Sequence, residues 1–468
     1  MAKQGSSLQM NGGSTPKTGA AKGLLAGRGA RLLPLGLASV LALAACGERE
    51  VQLIGPREEL RSVLSDQVPG DIPTVPENRA LPISLPAVSS NAAWTQDVGT
   101  PSTRPANAAL SPAPVLAWST NIGDGDGRRV HITSAPIVAD GRIFTLDATG
   151  HVSAVSPAGA LLWQTSLVPA QDNVGEASGG GLAYGAGLLF VTTGFGELHA
   201  IDPASGGIVW TQKLLASSTG APTVYGDLVY VTAGESEAWA INVKDGRIRW
   251  QITGTPSVNN FSGAPSPAVT DQFAIFGFGS GEVRTAYRQG GLGAWSTIVS
   301  GRRLGYARAN VDDITGDPVV VGDTVYTGNI SGRMVALELS TGTRKWTANE
   351  GPMGPAWVAG GSVFIVTDNN ELVRLDATTG ERIWGTQLPF FEVRKPRKQQ
   401  AVFAHYGPIL AGGRLVVASS DGVLRFFDPV SGAPAGQAAL PDGAASAPVV
   451  AGGVLYVLSK KGQLLAYR

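Results

Sequence analysis

The sequence predicts an all-β chain folded as an eight-bladed β-propeller of four-stranded blades. Three observations carry that expectation: a Trp-marked unit recurs along the last three quarters of the chain, each unit divides into four short alternating runs, and the last unit lacks one strand that an orphan segment near Trp118 can supply. The fullest unit reads Ala200-Ile-Asp-Pro-Ala-Ser-Gly-Gly-Ile-Val-Trp210, an acid eight residues before a Trp with a Gly four before it. The frame returns as Asn242, Gly246, Trp250, as Glu338, Gly342, Trp346, and as Asp376, Gly380, Trp384. Looser copies end at Trp163 and Trp295, and the copy opening at Asp428 places Gly436 in the Trp slot. Successive markers lie roughly 38 to 52 residues apart, the period of propeller blades and other stacked repeats.

Within a period, runs such as Arg142-Ile-Phe-Thr-Leu and His151-Val-Ser-Ala-Val alternate apolar and polar residues between Gly and Asp positions, the pattern of short strands. Asp140-Gly141, Gly226-Asp227, Gly360-Gly361, Gly412-Gly413 and Gly452-Gly453 fall between the first and second runs, where a tight hairpin needs positive φ. In the frame itself, the acid is expected to hold a turn by side-chain to backbone bonds and the Gly to tolerate positive φ. Each Trp is expected to fill the wedge between adjacent blades.

The chain ends decide between ring and solenoid. The final repeat, 446–468, supplies three strands and stops before its Trp strand, whereas Pro114-Val-Leu-Ala-Trp118-Ser-Thr precedes the first repeat. Pairing the two closes eight blades and leaves no open end to the ring.

Three segments follow: 1–45, 46–113 and the propeller at 114–468. Before residue 32 the only charges are basic, on Lys3, Lys17, Lys22, Arg28 and Arg31, and the apolar run from Leu32 to Ala45 comes next. That run is too short to span a bilayer and has the length of a signal-peptide core. Both Met1 and Met10 are compatible starts. Leu43-Ala44-Ala45-Cys46-Gly47 resembles the bacterial lipobox, which implies acylation of Cys46, the one cysteine of the chain. Residues 46–113 are rich in Pro, Ser and Asn, with one candidate helix at 56–64, and read as an extended tether with little internal order. A second cysteine being absent, the chain has no internal disulfide. The formal net charge of +0 gives no electrostatic footprint for nucleic acid.

No residue pattern carries catalysis. His131, His151, His199 and His405 fall in different repeats without metal-ligand or triad spacing. Asp124-Gly-Asp126-Gly lacks the later glutamate of a calcium loop. The glycine clusters at 179–181 and 277–281 sit in β turns and open no helix.

The tandem frame resembles that of quinoprotein dehydrogenases, which bind pyrroloquinoline quinone with calcium. Those enzymes carry an adjacent-cysteine disulfide that this chain cannot form. Lipobox, tether and ring together resemble the BamB family, lipoprotein subunits of the machinery that assembles β-barrels into the bacterial outer membrane. The likeness is best placed in 256–267 with 276–283, and in 306–321. It implies a non-catalytic scaffold without cofactor or metal, lipid-anchored on the periplasmic face of the outer membrane. Its implied partners are BamA through a POTRA domain, other subunits of the machinery, and unfolded outer-membrane proteins. By position, Val258, Asn260 and Phe261 stand where the family has an apolar, apolar, basic pattern, and Asp312 and Asp313 stand in its acidic loop. Asn260 and Phe261 depart from that pattern, so Arg308, or Arg302 and Arg303, is the alternative source of positive charge. A quinone-binding propeller, or another periplasmic interaction module, is the competing expectation.

Overall fold

The computed structural model describes residues 77–468 except 215, 217–219, 235, 258–263 and 300–310. The alternating runs form eight antiparallel four-stranded sheets. Seven are consecutive in sequence: blade 1 (137–166), blade 2 (180–213), blade 3 (223–253), blade 4 (268–298), blade 5 (314–348), blade 6 (357–387) and blade 7 (405–439). Blade 8 takes Val449–Ala451, Val454–Leu458 and Gln463–Tyr467 from the C-terminus and Leu116–Asn121 from the N-terminal side. Leu116 pairs with Tyr467 and Asn121 with Gln463, so the orphan Trp strand closes the ring as its sequence position required.

First strands of neighbouring blades touch one another and surround the axis. Outer strands alternate exposed and partly buried residues, as in Leu161–Ser166 and Ile208–Lys213. Apolar faces of successive blades interdigitate into continuous cores that include Phe144, Phe190, Tyr230, Phe276 and Phe364.

The frame works across blades. Asp202 Oδ1 accepts from the Ala204 and Ser205 amides and Asp376 Oδ1 from those of Thr378 and Thr379, which ties the turn before the outer strand. Gly206, Gly246, Gly342 and Gly380 follow with φ between +70° and +76°. A Cβ on Gly206 would stand 2.6 Å from the Trp163 ring, and one on Gly380 would stand 2.6 Å from Trp346. Each frame Gly therefore lies under the indole of the preceding blade, and indole Nε1 donates to a carbonyl in the same turn, Trp163 to Pro203 at 3.0 Å and Trp346 to Ala377 at 2.8 Å.

Blade 7 departs from this scheme for a structural reason. The turn that would receive its Trp belongs to blade 8, whose third strand, Gln463–Tyr467, and outer strand, Leu116–Asn121, come from opposite sides of the other seven blades in sequence and share no such turn. Gly436 fills the Trp slot, and its cross-strand partner Phe426, 2 % exposed, supplies the missing ring where blades 1 to 3 have Ala154, Ala200 and Ala240.

Residues 77–113, counted with the tether in the sequence, lie on the ring. Arg79 N–H donates to Ile383 O on the rim of blade 6. From there the segment runs inward and circles the axis. Asn91 Nδ2 donates to Val450 O in blade 8, Trp94 exchanges both backbone bonds with Val138 in blade 1, and Thr95 O accepts from Tyr184 in blade 2. Gln96 Oε1 accepts from Val224 in blade 3, Pro101 O from Val269 in blade 4 and Ser102 O from Val320 in blade 5. Arg104 Nη2 donates to Pro355 O in blade 6 and Ala108 N–H to Leu410 O in blade 7. Val138, Tyr184, Val224, Val269, Val320, Leu410 and Val450 hold one register position, each facing the second residue of the next strand or its equivalent. The axial edges of the innermost strands are unpaired by the blades, and this strap bonds to that of every blade except blade 6, where Arg104 reaches Pro355 just before the strand. Residues 46–76, with Cys46 and the candidate helix, lie outside the described residues.

Candidate partner-binding face and axial cup

Antiparallel pairing gives the ring two distinct faces. Hairpin turns between first and second and between third and outer strands emerge on one face, and the strap lies there: a Cβ on Gly360 would meet Ile83, and one on Gly412 would meet the Leu110 carbonyl. Connectors from an outer strand to the next innermost strand emerge on the opposite face. Of the segments singled out in the sequence, 256–267 falls in the connector from Ile248–Thr253 to Ala268–Val269 and 306–313 in that from Gly293–Ile298 to Ile314–Val321, whereas 314–321, read there as loop, is the innermost strand of blade 5 and 276–283 is a hairpin of blade 4. The described ends of the two connectors lie on neighbouring blades at the face away from the strap.

Within that face the starts of the innermost strands line an axial cup of about 380 Å³, walled by residues that include Ser134, Ser266, Asp313 and Asp317, with Asp97 contributed by the strap. Asp317 Oδ1 accepts from the Ser266 amide at 2.6 Å. Burial and then repulsion by Asp97 push the Asp317 carboxyl up to about 8, against the Ser266 bond and the Arg104 charge. Burial likewise raises Asp97, and Arg104 opposes it. Arg104 is 8 % exposed and lies over the Trp357 ring at 5.1 Å. Burial lowers its guanidinium to about 10 while Asp97 and Asp317 hold it charged. Repulsion between the two carboxyls, only partly offset by the Arg104 charge, favours a proton on one of them.

Of the residues expected at the partner contact, Asp312 is partly exposed and Asp313 is 2 % exposed in the cup wall. Val258, Asn260, Phe261 and Arg308 lie outside the described residues, as does Cys46. Sequence reading missed Asp97 and Arg104, because both sit in a Pro-rich stretch that reads as a tether. The signal present was Trp94, a large ring with no frame around it and only 1 % exposed.

The histidines serve separate local networks. His199 Nδ1 is 2.9 Å from Thr211 Oγ1, and burial lowers the ring to about 4. His405 sits between Ser419 Oγ and the Pro389 carbonyl, both at 2.7 Å, and burial lowers it as well. His151 Nδ1 lies 3.2 Å from Asp147. Asp124 and Asp126 tie their loop to the ring, the first through its amide to Asp147 and the second by accepting from Ile132. Among the described residues no group of three His, Cys, Asp or Glu is placed to hold a metal ion.

Ring, repeat and turn chemistry define a PQQ-like repeat β-propeller. The chain belongs to the family described as outer membrane protein assembly factor BamB, whose sequence profile matches residues 148–386 and 395–468. Its relatives include BamB of Yersinia pestis, 25 % identical over 364 residues that cover 76 % of this chain and 89 % of that protein. BamB of Xanthomonas campestris is 27 % identical over 362 residues, covering 75 % and 85 %. Among solved structures, BamB from Moraxella catarrhalis superposes with a TM-score of 0.63 at 18 % identity, over 76 % of this chain and all (100 %) of that one. Quinohemoprotein alcohol dehydrogenase from Comamonas testosteroni gives 0.61 at 13 % identity, over 81 % of each chain. Two proteins named for such different functions share one ring, so the fold by itself selects no chemistry.

Proposed function

We propose that this chain is a non-catalytic lipoprotein scaffold of the outer-membrane β-barrel assembly machinery. It is anchored through Cys46 at the periplasmic face of the outer membrane and docks on the POTRA region of BamA through the connectors entering blades 4 and 5. The observation that carries the docking face is topological: these two connectors are consecutive around the ring and emerge on the face the strap leaves open. Loops fixed at both ends by rigid sheets are suited to recognition. In this reading Phe261 with Val258 supplies the apolar anchor, Asn260 adds a polar contact beside it, and Arg308 with Asp312 supplies the charge that orients the encounter. Asp313, expected beside Asp312 at the contact, is buried in the cup wall, so the steering charge in this reading rests on Asp312.

A quinone cofactor fits the axial cup poorly. Pyrroloquinoline quinone carries carboxylates, and the described cup lining presents the carboxyls of Asp97, Asp313 and Asp317 and no Lys or Arg to pair with them. Titration with the quinone and calcium, followed by absorbance, is expected to show no saturable binding; micromolar binding would reinstate the quinoprotein alternative.

The central test is capture of BamA by the lipidated chain from detergent-solubilised envelopes. Phe261→Ala combined with Asp312→Ala is expected to reduce capture at least tenfold with the thermal transition within about 2 °C of the parent, as this reading gives both residues to the partner and not to the core. Undiminished capture removes these loops from the interface.

A further inference from the structure

The connector from blade 6 to blade 7, residues 388–404, forms an arm on the face that the strap leaves open. Its base is fixed to the ring. Leu388 is buried, Asn370 Nδ2 donates to the Pro389 and Phe403 carbonyls at 3.2 and 2.9 Å, and the Pro389 carbonyl lies 2.7 Å from His405 Nε2. Beyond that base the two sides of the arm pair as a short antiparallel ladder: Phe403 N–H donates to Phe390 O, Glu392 N–H donates to Ala401 O, and Phe391 faces Val402. A 3₁₀ turn at Pro396–Lys398 shapes the tip, and Gln399 Nε2 donates across it to the Arg394 carbonyl.

The arm concentrates a charge that the whole chain balances. Arg394, Lys395, Arg397 and Lys398 fall within five positions and all are exposed, and Glu392 is the one acid between 388 and 404. Nearby acids are engaged elsewhere: Glu350 and Glu371 pair with Arg382, and Asp421 pairs with Arg425. Among the described residues no carboxylate pairs with the four cations of the arm. Apolar side chains stand beside them, with Phe391, Val393 and Val402 at 38 %, 41 % and 48 % exposure. Cations alone would suit an acidic protein surface. Cations flanked by exposed Phe and Val match the boundary of an anionic bilayer, where basic groups reach lipid phosphates and apolar side chains enter the acyl boundary.

The described chain begins at the same corner of the ring. Arg79 N–H donates to Ile383 O, and the Asn78 side-chain amide bonds to both backbone groups of Gly385. Followed toward the N-terminus, the chain therefore steps along the outer strand of blade 6 in the direction of Gln387, the end from which the arm departs. Residues 47–76 separate Cys46 from that point. A tether of this length holds the ring near a membrane without orienting it, whereas a second contact at the tether's own corner selects the face that turns toward the lipid.

We propose that the arm 388–404 is a second membrane contact, seating its four cations on the phosphates of an anionic phospholipid leaflet while Phe391, Val393 and Val402 enter the interface. This rests on the scaffold reading for the anchor at Cys46 and gives the connector face its orientation toward the membrane.

The test mixes the detergent-purified full chain with vesicles of phosphatidylcholine alone or with phosphatidylglycerol added, recovers them by flotation and reads hydrogen exchange at 390–403. The anchor is expected to float the chain with both vesicles, and the arm is expected to exchange at least about fivefold more slowly on the anionic ones, a difference that ~0.5 M salt removes. Arg394→Gln, Lys395→Gln, Arg397→Gln and Lys398→Gln together should abolish that difference without changing flotation. Lys244→Gln with Arg247→Gln, exposed cations in the turn before the outer strand of blade 3, should leave it intact. Equal exchange on both vesicles, a difference that survives the quadruple variant, or an equal loss in the blade 3 control overturns the proposal. Loss of BamA capture in the quadruple variant also overturns it, by giving the arm to a protein partner. A chain that floats only with anionic vesicles, its arm protected there, supports the arm and removes the anchor at Cys46, so the two readings fail separately.

Discussion

Gly380 has φ of +76°, and a Cβ there would stand 2.6 Å from the Trp346 ring. A non-glycine residue pays about 1–2 kcal/mol for the left-handed backbone, and overpacking against an immobile indole adds typically 1–3 kcal/mol. Gly380→Ala is therefore expected to destabilise the ring by about 2–5 kcal/mol in denaturant unfolding. Gly290→Ala, in a turn where an added Cβ meets nothing within 4 Å, should stay within about 0.5 kcal/mol. The sequence exposes the Gly and the Trp of one frame four positions apart. It conceals that the Trp resting on that Gly comes from the preceding copy, since contact across blades has no fixed sequence spacing. The same geometry explains Gly436, whose missing Trp would have needed a turn at the ring closure.

At the scale of elements, the strap is the part composition misread. Its Pro and Asn content describes a chain that forms no sheet or helix of its own, which is correct. Composition is silent on whether eight innermost strands have open axial edges to accept it. Its burial of Asp97 and Arg104 beside Asp317 has a consequence for pH. The Asp317 carboxyl is raised to about 8 from 3.8, so the folded state binds its proton more tightly than the unfolded chain does. That contribution is complete below about pH 4 and disappears as pH rises through 8. Asp317→Asn keeps an acceptor for the Ser266 amide and removes the titration. Its melting temperature minus that of the parent is expected to grow from pH 5 to pH 8; a difference constant across that window would refute the raised Asp317 carboxyl. Of the contact residues expected in the sequence, Asp313 illustrates the remaining ambiguity: an acid in a loop reads as exposed, and only the approach of the neighbouring innermost strands shows it walled in.

For the whole molecule, closure rests on one strand from far upstream. Trp118 lies 6.0 Å from the Tyr456 ring within blade 8 and against Gly159 in blade 1, so it links the seam to the first repeat. Truncating a packed Trp to Ala typically costs 3–5 kcal/mol. Trp118→Ala is expected to approach the low end, because this ring is only partly buried. Hydrogen exchange should locate the loss: amides of Gln463–Tyr467 should exchange earlier than those of blades 3 to 5 in the variant. Uniform loss across all blades would mean that the seam is not a separable opening unit.

The sequence by itself determined blade number, strand pattern, turn chemistry and the origin of the closing strand, because each depends on local periodicity or on counting copies. It also pointed to the family, through residues 43–47, which resemble a lipobox, and two connectors where the repeat lapses. Only the tertiary structure decided which residues meet across blades and that residues 77–113 encircle the axis. Those facts depend on the ring bringing remote backbone edges to one register, and no local pattern in the chain encodes that proximity.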